Sequence, residues 1–245
     1  MYTYESEGLH LAYDDDGEGY PIILLHGFSA DRRNNWKLTG WTRTLVRAGY
    51  RVIAPDARGH GRSNKPTDPA EYGPMKMAGD VLNLMDHLGI REAALFGYSM
   101  GGRNAAWLVA NKQSRFSTVV VAGAGESLLV HEDNADKESL AVPGMVPLYE
   151  KASKLGGKIG ALSACLLGSF PHMDPEDFAR VRTPVLVIAG SRDTVAGSPY
   201  PLADAIPKAK AVVVPGRSHL SVLTDSYFKG AVLGFLGDRY HEEAA

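Results

Sequence analysis

Short apolar runs punctuate the chain at nearly even intervals. They fall at residues 22–25, 51–54, 93–96, 119–122, 185–189 and 211–214. None alternates with polar residues, and most are β-branched. That pattern predicts strands buried on both faces, as in a parallel sheet. Between them lie segments with helical spacing, at 41–47, 77–88, 100–112 and 221–235. In the second of these, Val81, Leu84, Met85 and Leu88 form one apolar stripe. Two further short strands are expected at the start, at 2–6 and 9–13, with Asp14-Asp15-Asp16-Gly17 as a turn. Repeated strand–helix units imply an α/β fold, a mostly parallel central sheet flanked by helices.

One stretch breaks this rhythm. From residue 126 to residue 180 there is no strand-like run, but there are apolar segments at 140–145, 148–155 and 159–167, with a Gly156-Gly157 break. The expectation is a core of residues 1–125 and 181–245, interrupted by a short helical cap insertion at 126–180 laid over one edge of the sheet.

Composition narrows the function classes. Lys+Arg number 26 and Asp+Glu 28, a formal charge of -2. That balance argues against a dedicated nucleic-acid binder. Cys165 is the sole cysteine and lies among apolar neighbours, so it reads as a small buried hydrophobe with no disulfide partner. The first residues lack the basic and apolar regions of a signal peptide. No apolar run approaches the roughly 20 residues of a membrane span. A cytoplasmic location without membrane association is therefore expected. There is no phosphate-binding loop, no H-E-x-x-H and no paired-cysteine zinc pattern. No metal or cofactor is expected. His131-Glu132 and His241-Glu242 read as surface pairs, and Trp36, Trp41 and Trp107 as packing residues.

The strongest chemical signal is Gly97-Tyr98-Ser99-Met100-Gly101, set between a strand and a helix. A G-x-S-x-G turn in that setting lifts a serine hydroxyl above the sheet, and small flanking residues let the chain bend sharply. The following helix N-terminus offers unpaired N–H groups to developing negative charge. A serine nucleophile needs a base, and the base needs an orienting carboxylate. His219 follows the strand at 211–214, and Asp193 follows the strand at 185–189. All three candidates then lie at strand C-termini, on the edge where parallel sheets bind ligands. Their order, Ser…Asp…His, is the one this fold uses. Glu126 is the rival acid, and His26 is read as a loop histidine bonded within its own turn. The oxyanion donors expected for acyl transfer are the amides of Met100, after the nucleophile, and Phe28, in the His26-Gly27-Phe28 loop.

Five blocks in order carry a family resemblance: His26-Gly27-Phe28, the Asp56–Ser63 loop (D-A-R-G-H-G-R-S), Gly97–Gly102, Gly190-Ser191-Arg192-Asp193 and Gly216-Arg217-Ser218-His219. Over nearly its whole length the chain resembles the α/β-hydrolases, within them the small esterases, enol-lactone hydrolases and cofactor-free haloperoxidase-like enzymes. The resemblance implies a serine hydrolase acting on a small-molecule ester, thioester or lactone. It implies a structural role for the Asp56–Ser63 loop. A serine elbow in this family also permits C–C bond hydrolysis, hydroxynitrile cleavage, perhydrolysis or slow-turnover ligand reception. The segment 126–180 is shorter than many family caps, so no cap residue is assigned a role.

Overall fold

The computed structural model describes residues 1–129, 157–168 and 172–242. Eight strands form one sheet: β1 (Tyr2–Ser6), β2 (Leu9–Asp16), β3 (Tyr20–Leu25), β4 (Tyr50–Pro55), β5 (Ala93–Tyr98), β6 (Phe116–Ala122), β7 (Val185–Gly190) and β8 (Ala209–Val214). Their order is β1-β2-β4-β3-β5-β6-β7-β8. β1 and β2 pair antiparallel, β2 pairs antiparallel with β4, and every other pairing is parallel. The six apolar runs all appear as the predicted parallel strands.

Among the described residues the α-helices are α1 (Trp41–Arg47), α2 (Pro74–His87), α3 (Met100–Lys112), α4 (Gly157–Gly168), α5 (Tyr200–Ala205) and α6 (Ser226–Glu242). Successive strand residues face opposite sides of a sheet, and the core divides accordingly. Ile23, Leu25, Leu95, Val119, Val121 and Val187 join α2 and α3 in one cluster. Ile22, Leu24, Phe96, Val120, Leu186 and Ile188 join α1 and α6 in the other. Trp36 and Trp41 lie fully buried in that second cluster against Phe96, with ring centroids 4.9 Å away in each case, as packing residues.

Two local expectations need correction. Asp14–Asp16 is not a turn but the end of β2, paired with Val52–Ala54 of β4 beyond the reach of β1. Cations neutralise this acidic run: Arg51 bonds Asp15 at 2.7 Å, and Lys37 lies 3.1 Å from Asp14. The turn itself falls on Gly17 and Gly19, at φ 82° and 111°. The helix expected at 221–235 is also divided. A 3-10 turn at Val222–Thr224 ends at Asp225, whose carboxylate accepts from the Tyr227 and Phe228 amides at 2.8 and 3.1 Å and starts α6 there.

Of the helical segments expected between 126 and 180, that at 159–167 is α4. Those at 140–145 and 148–155, and His131, lie outside the described residues. Leu128, Met173 and Phe178 pack in the main core. Ala164 and Cys165 of α4 instead form a small cluster with Tyr72, Met77 and Met100, flanked by Phe28 and Ala57. α4 thus covers the residues at the C-terminal ends of β3 and β5. No helix among the described residues is long and apolar enough to cross a membrane.

Candidate active site

β3 lies between β4 and β5, so the chain leaves β3 in one direction across the sheet, to β4, and leaves its neighbour β5 in the other, to β6. Such a switch point opens a crevice at the strand C-termini. Ser99 follows β5 directly, with φ 57° and ψ -117°. This backbone conformation is costly for a residue bearing a Cβ, on the order of 1–3 kcal/mol. It is held by the Ser99 N–H bond to Ala122 O at 2.8 Å and the Arg103 N–H bond to Ser99 O at 2.9 Å. The flanking glycines are needed for space. A Cβ at Gly97 would collide with the Gly101 carbonyl, and one at Gly101 with the Leu25 carbonyl. α3 therefore sits directly against the ends of β5 and β3.

The serine Oγ lies 2.9 Å from His219 Nε2. On the other side of the ring, Nδ1 lies 2.9 and 3.0 Å from the two oxygens of Asp193. The Asp193 side chain is fully buried and the His219 side chain is 16% exposed. A carboxylate can only accept, so Nδ1 carries the hydrogen and Nε2 is left to accept from Ser99. Asp193 is fixed in turn: its Oδ1 accepts from Val195 and Ala196 amides at 3.1 and 2.8 Å. The two loops are joined by the Arg192 N–H bond to Arg217 O at 2.9 Å. The structure thus brings Ser99, His219 and Asp193 together from the ends of β5, β8 and β7. The rival Glu126 is not bonded to His219; its side chain lies beside Gly197.

Met100 is the first residue of α3, and its amide precedes any helical acceptor. Phe28 lies on the neighbouring loop, where Gly27 approaches Ser99 so closely that a Cβ there would stand 3.3 Å from Ser99 Cβ. Asn35, which sequence reasoning passed over, orients this loop by accepting the Gly27 N–H at 2.7 Å. Ala30 N–H closes the turn onto Gly27 O at 3.3 Å.

His26 is buried beneath this turn, as a loop histidine. Its Nδ1 bonds Gly27 O at 2.8 Å and its Nε2 accepts from the Ala57 amide at 3.0 Å. Burial pushes its pKa down to about 4. His60 packs against it at 5.2 Å between ring centroids, and burial and then His26 push its pKa down to about 3. The Asp56–Ser63 loop is braced internally. Asp56 accepts from the Arg32 and Arg62 amides at 2.9 and 2.7 Å, and Ser63 Oγ bonds Asp56 O at 2.6 Å. The fully buried Arg58 makes two 2.7 Å bonds to Asp80. Cys165 is a buried thiol 3.8 Å from Met100 Sδ. Among the described residues, no group of three or more His, Cys, Asp or Glu could hold a metal ion.

A profile of the alpha/beta hydrolase fold matches residues 20–152. The chain is 32% identical over 246 residues to a non-heme chloroperoxidase of Streptomyces lividans, a match covering 83% of this chain and 84% of that one. It is 35% identical to an epoxide hydrolase of Caballeronia sordidicola, over 48% of this chain and only 35% of that protein's length. Among solved structures, the enol-lactonase from Burkholderia xenovorans LB400 superposes with a TM-score of 0.75 at 26% identity, covering 96% of this chain and 100% of that one.

Proposed function

The chain belongs to the alpha/beta hydrolase fold family, and from that premise we propose that it is a serine hydrolase cleaving a small carboxylic ester, thioester or lactone through an acyl-enzyme on Ser99. The observation that carries the reading is the unbroken line of hydrogen bonds from Ser99 Oγ through His219 to the buried Asp193 carboxylate. In the first half-reaction His219 Nε2 takes the Ser99 proton as Oγ attacks the acyl carbon. Asp193 holds the ring in the Nδ1–H tautomer and stabilises the imidazolium. The Phe28 and Met100 amides meet the oxyanion. His219 then protonates the leaving alkoxide. In the second half-reaction it takes a proton from the water that attacks the acyl-enzyme, and returns it to Ser99 Oγ as the acid leaves.

Residues 126–180 are proposed as the cap that limits the acyl pocket; the contact of α4 with Met100, Phe28 and Tyr72 supports this. A second reading, perhydrolysis with peroxide in place of water at deacylation, is favoured by the likeness to the chloroperoxidase over most of both chains. The nucleophile and base are the same in both readings.

Multiple-turnover hydrolysis of short-chain aryl esters, wild type beside Ser99→Ala, tests the proposal. Turnover well above background in the wild type and at background in the variant is expected. Equal rates would overturn it. Faster acyl transfer to hydrogen peroxide than to water would favour the second reading.

A further inference from the structure

We propose that Tyr98 is a positioning residue that grips His219 by both its main chain and its ring, and so holds the imidazole against Ser99. The inference rests on the hydrolase reading above, because it gives the histidine its task. Tyr98 ends β5 and immediately precedes the nucleophile. Its hydroxyl donates to the His219 carbonyl across 121 residues of sequence. Its ring stacks on the imidazole, with centroids 5.3 Å apart and planes inclined by 27°. One side chain thus engages the histidine at two points, while its own Cα is a single peptide unit, about 3.8 Å, from that of Ser99. The distance between nucleophile and base is set through this short path.

The surroundings support the grip. Gly123, at φ 61°, completes the slot: a Cβ there would stand 3.0 Å from Tyr98 Cε2 and 3.1 Å from His219 Cε1. A side chain at 123 would therefore press on both rings at once. The histidine loop is tied down just before His219, by Gly216 N–H to Ser191 Oγ at 2.8 Å, Arg192 N–H to Arg217 O at 2.9 Å and Arg217 Nε to Asp225 at 2.6 Å. Around His219 it bonds itself, Ser218 N–H to Ser221 Oγ at 3.0 Å, the two hydroxyls at 3.1 Å and Val222 N–H to Ser218 O at 3.2 Å, while Leu220 is 86% exposed; the Tyr98 hydroxyl reaches the His219 main chain itself. Burial, and then the Asp193 charge, push the Tyr98 hydroxyl up from its ordinary value, so it remains a donor. The side chain is only 4% exposed. It acts on the base from beneath.

Tyr98→Phe keeps the stack and removes the hydroxyl; Tyr98→Leu removes both. Both are compared with the wild type and Ser99→Ala in aryl-ester hydrolysis. Losing the bond to the carbonyl should lower kcat about ten-fold, the scale of one hydrogen bond used to position a base. KM should change less than about two-fold, since the substrate is not touched. Tyr98→Leu should fall further. The thermal midpoint of Tyr98→Phe should drop by only about 2–4 °C. Spectra of 15N-histidine protein, with His219 assigned by His219→Gln, supply a readout without substrate: Asp193 keeps the hydrogen on Nδ1 in both proteins, but its resonance should be narrow and protected from water in the wild type and broadened by fast exchange in Tyr98→Phe. Wild-type kcat with an unchanged Nδ1–H resonance in Tyr98→Phe, or a raised KM at unchanged kcat, would overturn the inference. If wild type and Ser99→Ala hydrolyse equally, the hydrolase reading fails by itself, and the Nδ1–H resonance still decides the role of Tyr98.

Discussion

Lowering the pH from 7 to 5 should weaken this fold through two histidines. His26 bonds Gly27 O through Nδ1 and accepts the Ala57 N–H at Nε2. Both nitrogens are satisfied only in the neutral ring; a second proton would face an N–H. His60 gives its Nδ1 hydrogen to Arg58 O at 3.0 Å, and its buried Nε2 finds no partner among the described residues. A proton there would be a buried, unanswered charge beside His26. Burial accordingly depresses both, from 6.5 to about 4 and about 3. The sign follows from linkage. Between pH 6.5 and 4 the unfolded chain binds protons that the folded chain refuses. Stability from these groups is fully present above the unfolded value and is lost as the pH falls below it. At pH 5 the loss is about 2 kcal/mol per histidine, about 4 kcal/mol together. That is about a quarter or more of a typical stability of about 5–15 kcal/mol.

Asp14 and Asp225, whose carboxyls are held below 3.8, lose their contribution only at lower pH and do not obscure this window. Urea unfolding at pH 7, 6 and 5 measures the effect. With a slope of about 3 kcal/mol per molar urea, the midpoint should fall by about 1 M or more. His60→Phe keeps an aromatic ring and cannot titrate, so it should remove about half of the pH dependence. A midpoint that is flat from pH 7 to 5, or an unchanged slope in His60→Phe, would refute the reasoning.

Two further outcomes follow from named contacts. Asp80→Asn removes the buried carboxylate from the fully buried Arg58 but leaves Glu7 on the guanidinium at 2.9 Å, so it should cost about 1.5–3 kcal/mol in urea unfolding; a loss under about 0.5 kcal/mol would contradict the role of the buried pair. Asp193→Asn preserves the shape of the site but favours the wrong imidazole tautomer, and should lower kcat by about 10³–10⁴ with the fold intact; less than a ten-fold loss would remove Asp193 from its orienting role.

The sheet was readable because strands buried on both faces need apolar residues at every position. β7 differs from its expected span only by Gly190. Position along the strands then brought Ser99, Asp193 and His219 to one edge, although 120 residues separate the serine from the histidine. What escaped was set by tertiary contact or by length. α5 has only six residues, too few for a periodic stripe. The π-helical turn at Arg33–Lys37 has no such stripe either, yet it delivers Asn35 to Gly27. Asp14–Asp16 looked like a turn because the cations that answer it, Arg51 and Lys37, are remote in sequence. The break at Asp225 did carry a local signal, an Asp before Ser226 that fits a helix cap, but the apolar spacing across it masked the stop. Nothing local marks Tyr98 as a partner of His219.

The central claim is that Ser99 becomes covalently acylated. Peptide mass mapping after rapid acid quench of the enzyme with a p-nitrophenyl ester reads this directly. The acyl mass is expected on the peptide containing Ser99, with none at that site in Ser99→Ala. Turnover of the ester with the acyl group on another residue, or with no acylated peptide and undiminished activity in Ser99→Ala, would contradict it.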